Sequence, residues 1–175
     1  MALSMSEVLP VAAPRTRRQI WSIGGGKGGI GKSLLAASVA WQLARMGRRV
    51  VLVDADLGGA NLHTCLGLPT PPRTLADFIQ RRVSSIEEVL TDTPAPGLRL
   101  ISGAGDLLSA ANIKHLQKVR VMKHVRAIDV DVVLNLDLDL DLDLDLDLDR
   151  IRGRTSCQGQ GAFGQGLSVT LLRAW

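Results

Sequence analysis

An α/β fold with a mostly parallel sheet is what this sequence predicts, and three features carry the prediction. Strand-like apolar runs alternate with segments of helical periodicity over most of the chain. One of those runs, Arg48–Asp54 (RRVVLVD), is apolar on successive residues, as a strand covered on both faces must be. A glycine-rich turn stands between the first strand-like run and the first helix-like one, where layered sheets place their ligands.

The first run, Gln19–Gly24 (QIWSIG), is short, apolar and closed by glycine, the pattern of a buried strand. Lys32–Met46 follows, with Leu34, Leu35, Ser38, Val39, Trp41, Gln42 and Leu43 spaced by threes and fours. This is a helix, and Gly47 is its stop. After the strand Arg48–Asp54, the stretch ADLGGANLHTCLGL turns back through two glycines. Asn61 is placed to cap the next turn, and His63 reads as a helix-surface residue. Pro69, Pro71 and Pro72 mark a loop. Thr74 can cap a short helix (LADFIQRR), and Ser84 and Glu87 have the S-x-x-E spacing of a capping box. Gly97–Ser102 (GLRLIS) is a third strand. Ser109–Ile128 is a long helix with Ile113, Leu116, Val119, Met122, Val125 and Ile128 on one face, and Val130–Leu136 is a fourth strand.

With 175 residues the chain is long enough for one domain with a real core. No apolar run reaches the ~20 residues that span a bilayer. Residues 1–18 read as a disordered leader rather than a signal peptide, which points to a cytoplasmic protein. Cys65 and Cys157 are too few and too separated for a disulfide framework or a zinc site, and Cys65 is expected in the core. The net charge of +4 conceals an asymmetry, because nine of the 17 acidic residues lie between Asp129 and Asp149. The basic residues before them are scattered rather than striped, which disfavours a nucleic-acid surface.

Gly26-Lys27-Gly28-Gly29-Ile30-Gly31-Lys32-Ser33 fits G-x-x-x-x-G-K-[ST]. Glycines let backbone N–H groups turn inward around phosphate oxygens, where a Cβ would block the approach. The helix that starts near Lys32 directs its positive end at the same anion. Lys32 would reach the β- and γ-phosphates, and Ser33 would offer its hydroxyl to Mg²⁺. An ordinary glycine turn is the alternative; the motif's full length and its strand–loop–helix setting argue against it. Asp54 ends the second strand at the ligand edge, and Asp56 follows two residues later, where it would either act on the ligand or cap the GGAN turn. Gly103–Asp106 would lie along that edge as well.

The run KGGIGKS, with one lysine before the glycines and one after, resembles the deviant phosphate loop of the MinD/ParA/Mrp family of P-loop ATPases. The resemblance continues through VVLVDADLGGANLHTCLG and, more loosely, to about Asp137. GANLHTCLGL and GLRLISGAGD are most like the branch of flagellar-number regulators. The resemblance implies a three-layer, Rossmann-like P-loop NTPase fold with a mostly parallel sheet, truncated in this chain. It implies ATP and Mg²⁺ as cofactors, with Gly26 through Ser33 on the nucleotide and Ser33 and Asp54 on the metal side, Asp54 acting through water. It implies that Lys27 crosses a dimer interface to the partner's phosphates, and that Asp56 orients the attacking water. Lys27, Lys32 and Asp56 are then the catalytic set. Lys27 adding charge only to its own loop is the alternative.

Asn135–Arg150 (NLDLDLDLDLDLDLDR) is a dipeptide repeat. Its alternation favours a strand, while its aspartates disfavour one. A calcium-binding strip lacks the glycine turns such sites use. The family's second switch would stand here with a glycine; Asp137 is the nearest counterpart to its aspartate, and no glycine follows until Gly153. The organisation expected is a leader (1–18), the nucleotide domain (19–137), the Leu-Asp repeat (138–149) and an irregular tail (150–175). A repeat expansion followed by a frame change would account for the tail; a genuine short protein with an acidic end is the alternative.

The function these readings lead to is a nucleotide-dependent, homodimerising ATPase switch with a regulatory or spatial role, flagellar placement among them. Hydrolysis depends on the fold being complete enough. The alternatives are a non-catalytic nucleotide-binding fragment and an interaction module that uses the acidic repeat. A membrane-surface partner stays open, although no C-terminal amphipathic helix is visible in the sequence.

Overall fold

In the computed structural model, residues 18–25, 31–55, 59–103 and 115–136 are described, together with the backbone of 154–159 and 167–173. Seven strands form one sheet: β1 (Gln19–Gly25), β2 (Val50–Asp54), β3 (Leu90–Asp92), β4 (Leu98–Ile101), β5 (Val132–Leu136), β6 (Arg154–Gly159) and β7 (Leu167–Arg173). Their order is β3-β4-β2-β5-β1-β7-β6. The four central strands, β4, β2, β5 and β1, run parallel, and β3 and the β6–β7 hairpin flank them antiparallel. The helices are α1 (Lys32–Arg45), α2 (Leu62–Cys65), α3 (Leu75–Ile79) and α4 (His115–Ala127), with a 3₁₀ turn at Ile86–Val89.

The sheet separates two cores, as strands that alternate their side chains between two faces must. On one face Ile23, Val50, Leu52, Leu98, Leu100, Val132, Leu134 and Leu136 meet α1 and α2. On the other, Ile20, Val51, Val53, Ile101 and Val133 meet α3, the 3₁₀ turn and α4. The β-branched run read from the sequence is β2, and all five of its residues are buried. α1 is the helix that the sequence predicts. Its buried residues are Ala36, Ala37, Ala40 and Ala44, whereas Leu34 is 65% exposed and Trp41 38%. Small residues face the strands because they let the helix axis lie close to the sheet; the large ones sit on its flanks.

Other local readings shift for identifiable reasons. The capping box lies one residue later than expected: Ser85 is the cap, and the Glu88 carboxylate accepts from the N–H groups of both Ser84 and Ser85 at 3.0 Å. Thr74 caps α3 as expected, with its N–H donating to Asp77 at 2.8 Å. The helix ends in a pair of crossed bonds, Arg82 N–H to the Asp77 carbonyl and Arg81 N–H to the Phe78 carbonyl, which places Arg81 at φ 60°. Cys65, expected in the core, is exposed at the end of α2. Short β3 went unseen in the sequence. The stretch 150–175 carries no periodicity, yet its described parts pair as a hairpin against β1, from Gln19 opposite Arg173 to Gly25 opposite Leu167. The repeat, Asp137 and the leader up to Arg17 lie outside the described residues.

At the edge where the parallel strands begin, Arg49 ties the layers together. Its guanidinium meets Asp129 at 3.0 Å and Asp131 at 3.3 Å, and its N–H donates to Asp131 at 2.9 Å. At the opposite end the registers bring strand termini level. Leu136 of β5 stands beside Ile23 of β1 on one side and Asp54 of β2 on the other, and Val53 pairs with Ile101. That level edge is where the expected site residues gather.

Candidate functional site

The site is built on the carboxyl ends of β1, β2 and β4. β1 delivers the chain to the glycine loop, and Gly31 turns it into α1 with φ 85° and ψ 15°. This left-handed conformation strains any residue with a Cβ, which is the physical need for glycine immediately before the helix. The first helical bond runs from Leu35 N–H to the Gly31 carbonyl at 2.9 Å. The N–H groups of Lys32, Ser33 and Leu34 therefore lie ahead of the helical ladder, at the positive end of a 14-residue helix with no acidic residue in its first turn. That end is suited to an anion. Lys32 and Ser33 occupy its first two positions.

Asp54 closes β2 and is fully buried. Its Oδ2 accepts from the Leu62 N–H at 3.1 Å, which ties the start of α2 to the end of β2. A buried carboxylate fits a site that holds a cation, because its charge must be met by donors or by a metal. Two hard oxygen groups, the Ser33 hydroxyl and the Asp54 carboxylate, stand at the heads of elements on the same sheet edge. They are the donor chemistry Mg²⁺ takes when phosphates and water fill its remaining positions. Among the described residues no group of three or more His, Cys, Asp and Glu could hold a metal by itself.

Of the sequence-predicted site residues, Gly31, Lys32, Ser33 and Asp54 lie on this edge. Gly26, Lys27, Gly28, Gly29, Ile30 and Asp56 lie outside the described residues. Two further residues contribute: Leu62, which the sequence does not single out, and Gly103, which it places on this edge without a role. Leu62 enters through its backbone N–H, which no side-chain pattern reveals. Gly103, just past β4, approaches the Asp54 carbonyl so closely that a Cβ there would stand 2.4 Å from the oxygen. The only sequence signal for it is a glycine directly after a strand at the ligand edge.

Comparison with known proteins agrees with this geometry. Residues 16–102 match the family model ParA, described as NUBPL iron-transfer P-loop NTPase. The antiactivator FleN of Pseudomonas aeruginosa is 43% identical over 99 residues, covering 57% of this chain and 34% of FleN. The chain belongs to the MinD/ParA family of P-loop ATPases. Within that family, the septum site-determining protein MinD of Helicobacter pylori is 31% identical over 111 residues, 63% of this chain and 41% of its own length. The structure of MinD from Pyrococcus horikoshii, complexed with Mg-ADP, superposes with a TM-score of 0.60 at 32% identity, over 69% of this chain and 48% of that one. The chain thus spans about a third of FleN and less than half of either MinD. Among the described residues no helix is long and apolar enough to cross a membrane.

Proposed function

We propose that this MinD/ParA-family chain binds ATP with Mg²⁺ on the edge formed by β1, β2 and the head of α1, and works as a nucleotide-dependent dimerising switch. The observation that carries the reading is the junction at Gly31. A left-handed glycine leads straight into a helix whose first amides are Lys32 and Ser33, within a full G-x-x-x-x-G-K-S sequence. Gly26, Lys27, Gly28, Gly29, Ile30 and Gly31 supply the backbone cradle, and Lys32 neutralises the β- and γ-phosphates. Ser33 and Asp54 hold the metal side. Mg²⁺ held there by Ser33 and Asp54 would supply positive charge to offset the negative charge of the phosphates. Asp56 orients the attacking water. Lys27 reaches the phosphates of a second copy, so that charge in the transition state is met only in the dimer, as with an arginine finger. The resemblance of GANLHTCLGL and GLRLISGAGD to the flagellar-number branch makes flagellar placement the setting we favour, and we place the protein in the cytoplasm.

A second reading, nucleotide binding without turnover, is favoured by the stretch after Leu136. There the sequence has no glycine until Gly153, where the family's second switch would need one. Titration of the full chain with a fluorescent ATP analogue, coupled to phosphate-release assays and sedimentation, tests both. Lys32→Ala should weaken nucleotide binding by about 100-fold, on the order of 3 kcal/mol. Lys27→Ala should leave binding within about threefold but abolish ATP-dependent dimerisation and phosphate release. Binding without release selects the second reading. A folded chain with no affinity for any nucleoside triphosphate refutes both.

A further inference from the structure

We infer that Gly103 is a positioning residue for Asp54, keeping that carboxylate, and the start of α2 that it ties to β2, in the place a metal needs; the metal part of this rests on the reading above. Gly103 has no left-handed φ, so its glycine is not required by backbone conformation. What it lacks is room. A Cβ built on it would lie 2.4 Å from the Asp54 carbonyl oxygen, 3.3 Å from the Asp54 carbonyl carbon and 3.3 Å from the Ala60 Cβ. The first of these distances is one that real Cβ atoms do not show against backbone, and relieving it takes a movement of about 1 Å, the scale at which a reacting site loses its geometry.

Both sides of the contact are anchored, the Asp54–Ala55 peptide by the Ala55 N–H donating to the Leu136 carbonyl at 3.2 Å and the Gly103 side through Ser102, so the strain cannot be relieved without loosening one of them. The carbonyl of neighbouring Ser102 accepts from the Leu75 N–H at 2.8 Å, pinning the end of β4 to α3, and Ser102 is fully buried. Asp54 and Ala60 stand on either side of the tie that Asp54 makes by accepting from Leu62 N–H. A methyl group at 103 therefore presses on both ends of that tie at once. Gly103 acts through Asp54 and touches no ligand itself.

The test compares the full-length wild type with Gly103→Ala. Hydrogen exchange at the Leu62 amide, measured without nucleotide, reads the positioning directly: it should accelerate at least ~10-fold in the variant while core amides of β5 keep their protection. Binding of a fluorescent ATP analogue in EDTA should stay within about twofold, while the tightening produced by MgCl₂ should fall at least ~10-fold. Unchanged Leu62 protection, or unchanged magnesium dependence, in a folded Gly103→Ala protein overturns the inference. Should that variant fail to fold, Ala60→Val crowds the same gap from the loop side. It should accelerate Leu62 exchange about threefold or more, and no change there overturns the inference equally. If the wild type binds no nucleotide but Gly103→Ala still frees the Leu62 amide, the positioning stands and the nucleotide reading falls.

Discussion

β5 and β7 lie on opposite sides of β1 and illustrate two ways of extending a sheet. β5 pairs with β1 in parallel over five residues, and all five of its side chains are buried between helical layers. β7 pairs antiparallel over seven residues, but the helices of the described structure pack on the central strands, and the hairpin's main contacts are β1–β7 and β6–β7. The longer ladder is thus the antiparallel one, whose main contacts are with its neighbouring strands. Ladder hydrogen bonds largely replace bonds to water, so they add little net stability, whereas apolar burial on two faces is what a sheet gains from its helices. A two-stranded ribbon alone is marginal. The difference teaches that the length of a ladder and the apolar burial behind it are separate quantities.

The largest expected effect is in the parallel half. Leu134→Ala, at a fully buried position of β5, should lower unfolding stability by about 2–5 kcal/mol, measured by denaturant titration. Val169→Pro, which removes a backbone donor opposite Ile23, should cost measurably less. Equal losses would show that the hairpin is as integral as β5 and would break the comparison.

A smaller effect is expected from pH. Burial pushes the Asp131 carboxyl up, but the Arg49 N–H and guanidinium outweigh it and hold the group below its ordinary range. Asp77 follows the same pattern: burial raises it, and the Thr74 N–H and the Arg82 guanidinium bring it down. A depressed folded pKa means that the stabilisation is present above the unfolded value of about 4 and is lost as pH falls through the folded value. Melting temperature should therefore fall as pH drops from about 5 toward 2, and Asp131→Asn should flatten part of that fall. Both carboxylates lie in the helix-flanked half, so acid should loosen that half's clamps and sharpen the contrast with the hairpin if the latter's exchange rates change little.

The smallest effect is a gain. Arg81 holds a left-handed φ of 60° at the end of α3, and Arg81→Gly should stabilise the protein by about 0.5–1 kcal/mol in thermal melts.

The parallel half was legible because its strands announce themselves: VVLVD reads as doubly buried, and it is. The turn at Gly31 into α1 was legible because the glycine and the strand and helix on either side of it agree. α1 was legible as a helix, but which residues it buries was not: Ala36, Ala37, Ala40 and Ala44 face the sheet, while Leu34 and Trp41 sit on its flanks. The capping box slipped by one because Ser84-Ser85 and Glu87-Glu88 offer two registers, and only the geometry of the 3₁₀ turn selects between them. Leu62 was hidden because it contributes a backbone amide; Gly103 was placed on the ligand edge, but its close approach to Asp54 rests on an absence of side chain that no pattern reveals. The hairpin was hidden because its order comes from an edge supplied by β1 rather than from any pattern of its own.

The alanine floor of α1 has a mechanical consequence for the loop at its head. Ala36, Ala37, Ala40 and Ala44 set the stand-off between helix and strands. Any methylene added beneath the helix would lift it like a shim and tip the amides of Lys32 and Ser33 away from their aim. In the proposed site, the aim of the helix head is thereby set by four residues that lie beneath the helix rather than at its end.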